Sequence, residues 1–164
     1  MIIKGNTIIL HDNINTDEII PGRYLSINDP DELAKHSFAD TIPNFQEIIK
    51  KSRIIVAGNN FGCGSSREQA AICLKYSGLK AIIAQTFARI FFRNALNLGL
   101  PVIEIPDAPQ IFNSNDKLII HLKEGIIKNQ TSQKQYQFQP LPDWMLEMIE
   151  AGGYIVWSKN KSLQ

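Results

Sequence analysis

Arg53-Ile54-Ile55-Val56-Ala57-Gly58-Asn59-Asn60-Phe61-Gly62-Cys63-Gly64-Ser65-Ser66-Arg67-Glu68-Gln69-Ala70 is the stretch that decides the fold. Its first five residues are largely apolar and β-branched, and read as a buried strand. Its end leads into Ala70, Cys73, Leu74 and Ser77 at helical spacing, closed by Gly78 as a C-cap. Strand, glycine-rich turn and helix in succession is the unit of parallel α/β sheets. Ser65 with Glu68, and Ser66 with Gln69, both fit the capping-box pattern, so the helix is expected to begin at one of the serines. A helix N-terminus offers unpaired N–H groups and partial positive charge, and Arg67 adds a fork-shaped donor. The turn therefore suits a carboxylate or phosphate. It is not a Walker A loop, because no Gly-Lys-Ser/Thr follows the glycines, and Arg67 stands where the third glycine of a dinucleotide fingerprint belongs. The G-x-S-x-G elbow is also missing.

Outward from this unit, Ala81–Ala84 and Pro101–Ile105 repeat the buried-strand pattern, with an amphipathic helix from Phe87 to Leu98 between them. In that helix Phe87, Ile90, Phe91, Ala95 and Leu98 fall at core spacing. Arg89 and Arg93, four apart, would repel each other unless one has a partner. Upstream lie a short strand at Thr7–Leu10, an Asn/Asp-rich loop over 11–30, a helix opened by Asp29-Pro30 and another from Asn44 to Lys51. After Pro106, Leu118–Leu122, Gly125–Lys128 and Lys134–Phe138 read as an antiparallel meander. Pro142-Asp143-Trp144 opens a last helix ended by Gly152-Gly153, with a frayed tail from about 158. The alternation predicts one α/β domain over residues 1–164.

Bulk composition narrows the function. The chain has 164 residues, 44% hydrophobic and 20% charged, which suits one soluble domain. A net charge of +1 with no basic run gives no nucleic-acid footprint. There is no membrane-spanning stretch, and Met1–Gly5 lacks the pattern of a signal peptide, so a cytoplasmic protein is expected. Two cysteines, Cys63 and Cys73, are too few for a disulfide framework or a metal centre of the chain's own. Cys63 reads as filler in the glycine turn and Cys73 as core.

Three ordered blocks carry a family resemblance: Asp12-Asn13-Ile14-Asn15-Thr16-Asp17-Glu18-Ile19-Ile20-Pro21-Gly22-Arg23-Tyr24-Leu25, then Gly62–Glu68, then Thr86–Pro101. Together they resemble the small subunits of the aconitase-like hydro-lyases, most nearly the short, archaeal-type small subunit of 3-isopropylmalate dehydratase and homoaconitase. The resemblance implies a swivelling β/β/α domain that binds no cofactor itself. It also implies a separate large subunit carrying a [4Fe–4S] cluster, and a small branched hydroxy diacid as substrate. The family reaction moves a hydroxyl between adjacent carbons by dehydration and rehydration. By resemblance Ser65 is the base, Ser66 and Arg67 bind substrate carboxylates, and Asp17 is an active-site aspartate. From turn chemistry alone Asp17 also reads as an Asx-turn residue, and Arg23 as one half of a structural ion pair. Specificity in the family is associated with the loop Tyr24-Leu25-Ser26-Ile27. Homoaconitase-type members tend to carry an arginine at the position of Ser26, and its lack here argues against a tricarboxylate and for an isopropyl group. Acids of the 2,3-dimethylmalate or citramalate type stay open. So does a non-catalytic, carboxylate-binding role. Gln69 departs from the histidine of many relatives.

Overall fold

The computed structural model describes residues 1–162. Its seven strands form one sheet in the order β4-β3-β2-β1-β5-β6-β7. Four of them are parallel: β1 (Ile2–Ile9), β2 (Ile54–Ala57), β3 (Ala81–Ala84) and β4 (Val102–Glu104). The rest is the expected antiparallel meander, β5 (Lys117–His121), β6 (Ile126–Asn129) and β7 (Lys134–Gln137). β1 joins the two halves, pairing parallel with β2 at Ile9–Val56 and antiparallel with β5 at Ile3–Ile120. The sequence reading began this strand at Thr7. It begins at Ile2, because the meander supplies a partner for residues 2–6 that local pattern could not reveal.

β2 and β3 are buried on both faces, which is why they read as unbroken apolar runs. Ile55, Ala57, Ile82 and Ala84 face a layer built from α3 (Phe45–Ser52), α4 (Glu68–Tyr76) and α5 (Arg89–Asn97), where Ile49, Leu74 and Phe91 pack. Ile54, Val56, Ala81 and Ile83 face the opposite layer, with Ile103, Phe112, Leu118 and Ile120. Burial of each isoleucine stabilises the fold by about 1.5–3 kcal/mol. The short helices α1 (Thr16–Ile19) and α2 (Pro30–Ala34, capped by Asp29) lie in the Asn/Asp-rich region, with a 3₁₀ turn at Gly22–Tyr24 between them. A further short helix, α6 (Ala108–Ile111), precedes the meander. No described helix is long and apolar enough to cross a membrane.

The C-terminal region departs from the sequence reading. Gly152-Gly153 ends α7 (Asp143–Glu150) but also turns the chain into α8 (Tyr154–Ser162), so residues 158–162 are helical rather than frayed. Glu147 on α7 is the reason: it accepts from Trp157 Nε1 at 3.2 Å and pairs with Lys161 Nζ at 3.0 Å. Leu163 and Gln164 lie outside the described residues. The reversal needs glycine. Gly153 has φ +130°, and a Cβ there would stand 2.6 Å from the carbonyl oxygen of Asn97 on α5. Gly153→Ala is therefore expected to loosen α7 and α8 from α5 at a cost of about 1–3 kcal/mol. Chemical denaturation with hydrogen exchange of the α8 amides checks this, since exchange in β2 should change far less.

Candidate active site

Parallel pairing does not stop where the strands end. Beyond β1 and β2, Leu10 N–H donates to Val56 O at 2.8 Å, Asn13 to Asn59 O at 2.7 Å and Thr16 to Cys63 O at 2.8 Å. On the other side Phe61 N–H donates to Thr86 O at 3.0 Å and Ala88 N–H to Phe61 O at 2.9 Å. The glycine-rich turn is thus held between the Asp12–Thr16 and Thr86–Ala88 segments, along the C-terminal edge of three parallel strands. Ligands of open α/β sheets gather at this edge. The three blocks singled out in the sequence are three neighbours in space.

Glycine is required at the centre of this turn. Gly62 has φ +79°, and a Cβ would come within 2.2 Å of Phe91 Cγ. Gly62 N–H donates to Ile14 O at 2.8 Å, which fixes the turn against the first block. Cys63 Sγ lies 3.4 Å from Asn13 O and 3.6 Å from Ile14 O, consistent with a filler role. Cys73 is fully buried, and burial pushes its thiol up to about 12, so it is inert at neutral pH.

The capping-box expectation is overturned. α4 starts at Glu68 with Arg67, in extended backbone, as its N-cap and no side-chain cap bond. The cause is tertiary. An N-cap carbonyl must accept the first helical N–H, and the Ser65 carbonyl instead accepts from Thr16 Oγ1 at 2.9 Å. Both serine residues therefore stay exposed, outside the helix and ahead of its uncapped end.

A pocket of about 180 Å³ opens at this point. It is lined by Thr16, Gly64, Ser65, Ser66 and Arg67 from the first block and the glycine turn, and by Arg89, Ile90, Phe91 and Asn94 from α5. Arg67 Nη1 is in an ion pair with Asp17 Oδ1. Asp17 is thus an orienting partner of Arg67, and the Asx role in this loop belongs to Asn15, whose side chain accepts from Asp17 N–H at 2.9 Å. Ser65, Ser66 and Arg67 line one pocket, and Asp17 is tied to it through its ion pair with Arg67.

Tyr24–Ile27 do not line this pocket. Leu25 and Ile27 pack on the core, Ser26 is exposed, and Tyr24 stacks on His36 with ring centroids 3.9 Å apart. The loop reaches the site through Gly22, where a Cβ would stand 4.0 Å from Arg67 Nη1. Arg23 forms the expected structural ion pair, with Asp40, and the guanidinium holds that carboxyl below its ordinary range. The α5 reading needs two corrections. Phe87 precedes the helix, pairing with Phe61, and Ile90 is 51% exposed because it faces the pocket rather than the core. Arg89 and Arg93 have no ion-pair partner among the described residues; the paired arginines are Arg23 and Arg67. Sequence reasoning missed Thr16, whose signal was a hydroxyl in the middle of the first block, and the pocket-lining Asn94.

Residues 4–108 match the family model described as the aconitase C-terminal domain, so fold and serine–arginine turn together define a chain of the aconitase class. The 3-isopropylmalate dehydratase small subunit of Thermodesulfovibrio yellowstonii is 49% identical over 98% of this chain and 96% of its own length. The corresponding small subunit 1 of Methanopyrus kandleri is 45% identical over 98% and 94%. The crystal structure of 3-isopropylmalate dehydratase from Methanocaldococcus jannaschii superposes with a TM-score of 0.91 at 43% identity, over 99% of this chain and 96% of that one. The chain belongs to the family of 3-isopropylmalate dehydratase small subunits.

His11, at the rim of the first block, gives a measurable check on this geometry. Its Nδ1 lies 2.7 Å from Asp12 O and its Nε2 3.0 Å from Glu18 Oε1. Its pKa is raised, first by the bond to the Asp12 carbonyl and, against some desolvation, by Glu18. A raised pKa means that the protonated ring favours the folded state below the ordinary histidine value, about 6.5, and that this contribution fades as pH rises through the folded value. An NMR titration of His11 is expected to give a midpoint above the ordinary one, and Glu18→Gln should lower it.

Proposed function

We propose that this chain is the small subunit of a two-subunit hydro-lyase that interconverts 2- and 3-isopropylmalate by dehydration and rehydration, in leucine biosynthesis. The observation that carries the reading is the convergence of Ser65, Ser66 and Arg67 in one pocket, in a chain similar to small subunits of that name over nearly its whole length. Nothing in the relatives favours an enzyme of the dimethylmalate, citramalate or homoaconitase type, or a non-catalytic carboxylate-binding role.

Removing a proton beside a carboxylate puts negative charge onto that carboxylate, so the site needs a base and fixed positive groups. In this proposal Ser65 is the base. A free hydroxyl is far too weak an acid to work as an alkoxide, and two features of its setting favour the ionised form. The N-terminus of α4 lies next to it without a side-chain cap, and the Arg67 guanidinium follows two residues on. Thr16 holds the Ser65 carbonyl outside the helix, so that Ser65 lines the pocket instead of capping α4. Ser66 and Arg67 hold substrate carboxylates, and Asp17 sets the plane of the Arg67 fork. In this proposal the Tyr24–Ile27 loop acts on substrate choice from outside the pocket, joined to the site through Gly22 beside Arg67.

The [4Fe–4S] cluster expected for this class belongs, in this proposal, to the large subunit. Such clusters are held by several cysteine thiolates. The residues present do not fit one: Cys73 is sealed in the core, Cys63 is bonded to backbone carbonyls, and no three His, Cys, Asp or Glu gather at metal-binding spacing among the described residues. Free, unpaired cysteines support a reducing, cytoplasmic setting.

The test is anaerobic co-expression with the large subunit encoded in the same organism, and an assay on 3-isopropylmalate that follows the unsaturated diacid. Turnover is expected, and its absence in a fully assembled, cluster-loaded complex overturns the reading. Ser65→Ala should lower kcat by about 10²–10⁴, the usual worth of a general base, without weakening subunit association. Ser26→Arg is expected to move preference from isopropylmalate toward a tricarboxylate, measured as the ratio of kcat/KM values for the two acids.

A further inference from the structure

The geometry points to Arg89 as the residue that takes the substrate's second carboxylate, an assignment that rests on the dicarboxylate substrate proposed above. The pocket beside Ser65 holds two guanidinium groups, Arg67 on the glycine turn and Arg89 at the start of α5. They are not equivalent. Arg67 already shares its fork with Asp17, so it brings less net positive charge to the pocket than an unpaired guanidinium. Arg89 is exposed and has no carboxylate at ion-pair distance among the described residues. A dianionic substrate in a pocket whose first arginine is already shared with Asp17 is better matched by a second cation, and Arg89 is the one the pocket supplies.

Three further features favour a ligand carboxylate over an internal partner. Arg89 lines the same pocket as Ser65, Ser66 and Arg67 but comes from a different element, the start of α5, so two segments each bring a guanidinium to a short diacid bound beside Ser65. α5 opens at Arg89 with Ala88 as N-cap and no side-chain cap bond, which leaves backbone donors beside the guanidinium. The hollow behind it, lined by Arg89, Phe92, Arg93 and Glu104, contains the nearby acid and the second arginine, yet neither arginine there forms an ion pair with Glu104. Arg93 lines that rear hollow and not the Ser65 pocket, which makes it a matched control on the same helix.

The experiment compares Arg89→Gln, Arg89→Lys and Arg93→Gln in the complex assembled with the large subunit, recording KM, kcat and subunit affinity for each. Loss of one charge-assisted carboxylate contact is expected to raise KM for 3-isopropylmalate about 10- to 100-fold in Arg89→Gln, with a smaller fall in kcat. Arg89→Lys should recover part of the loss, and Arg93→Gln should match the wild type. An unchanged KM in Arg89→Gln overturns the assignment. So does a loss of activity that vanishes once the variant is driven fully into the complex, because Arg89 would then be a docking residue. A second measurement separates this outcome from failure of the proposed function: ¹⁵N NMR of the full chain titrated with 3-isopropylmalate. Perturbation of the Arg89 Nε–H, absent in Arg89→Gln, supports the carboxylate site even if the assembled enzyme turns nothing over; in an assembly that turns nothing over, no perturbation overturns it.

Discussion

Two rows of backbone hydrogen bonds, running on past the ends of β1, β2 and β3, hold the Gly58–Cys63 segment between its neighbours. Thr16 N–H reaches Cys63 O on one side, and Ala88 N–H reaches Phe61 O on the other. Because these bonds fix the approach distances, no side chain fits at Gly62, where Phe91 stands behind the turn. The same rows carry Thr16 to the Ser65 carbonyl and bring the start of α5 to the same pocket as Arg67. Serine, arginine and helix termini are therefore positioned by sheet geometry extended into loops. This is a stiffer support than free loops give, and stiffness is what a site of aligned donors requires.

The constraint also explains why α4 lacks its cap. A serine placed to cap the helix would turn its hydroxyl toward Gln69 or Glu68 and satisfy itself locally. Diverting the Ser65 carbonyl to Thr16 leaves the helix start unsatisfied and the hydroxyl exposed. The cap ordinarily contributes about 1 kcal/mol. Here that stability is forgone at a helix start whose unpaired donors have a chemical use, as local rules are expected to fail at functional sites.

The parallel strands were legible in the sequence because burial on both faces leaves unbroken apolar runs such as Ile54–Ala57 and Ala81–Ala84. The meander was legible from its spaced turns. What was not legible depended on partners distant in the chain. Residues 2–6 look like an undistinguished N-terminus until β5 is placed beside them. Residues 158–162 look like a polar tail until Glu147 is set against Lys161 and Trp157. In the site, Ser65, Ser66, Arg67 and Asp17 could be named from pattern and resemblance. The pairing of Arg67 with Asp17, and the change of Ile90 from core to pocket wall, came only with the fold. Helical periodicity assigns Ile90 to an apolar stripe but cannot tell a core from a cleft.

The position of β1 has a consequence for how the chain reaches this structure. It leaves the ribosome before the other six described strands, and it must wait for β2, some 45 residues later (Ile9 to Ile54), and then for β5, whose first residue is Lys117. Until both arrive, a run rich in isoleucine presents two bare edges, the condition that favours pairing with another chain. Pairings so distant in sequence close slowly, because loop entropy is lost before contacts form. The strand that joins the two halves of the sheet is thus also the one most in need of protection during synthesis, and crowded or rapid expression should expose that need before any defect in the site itself.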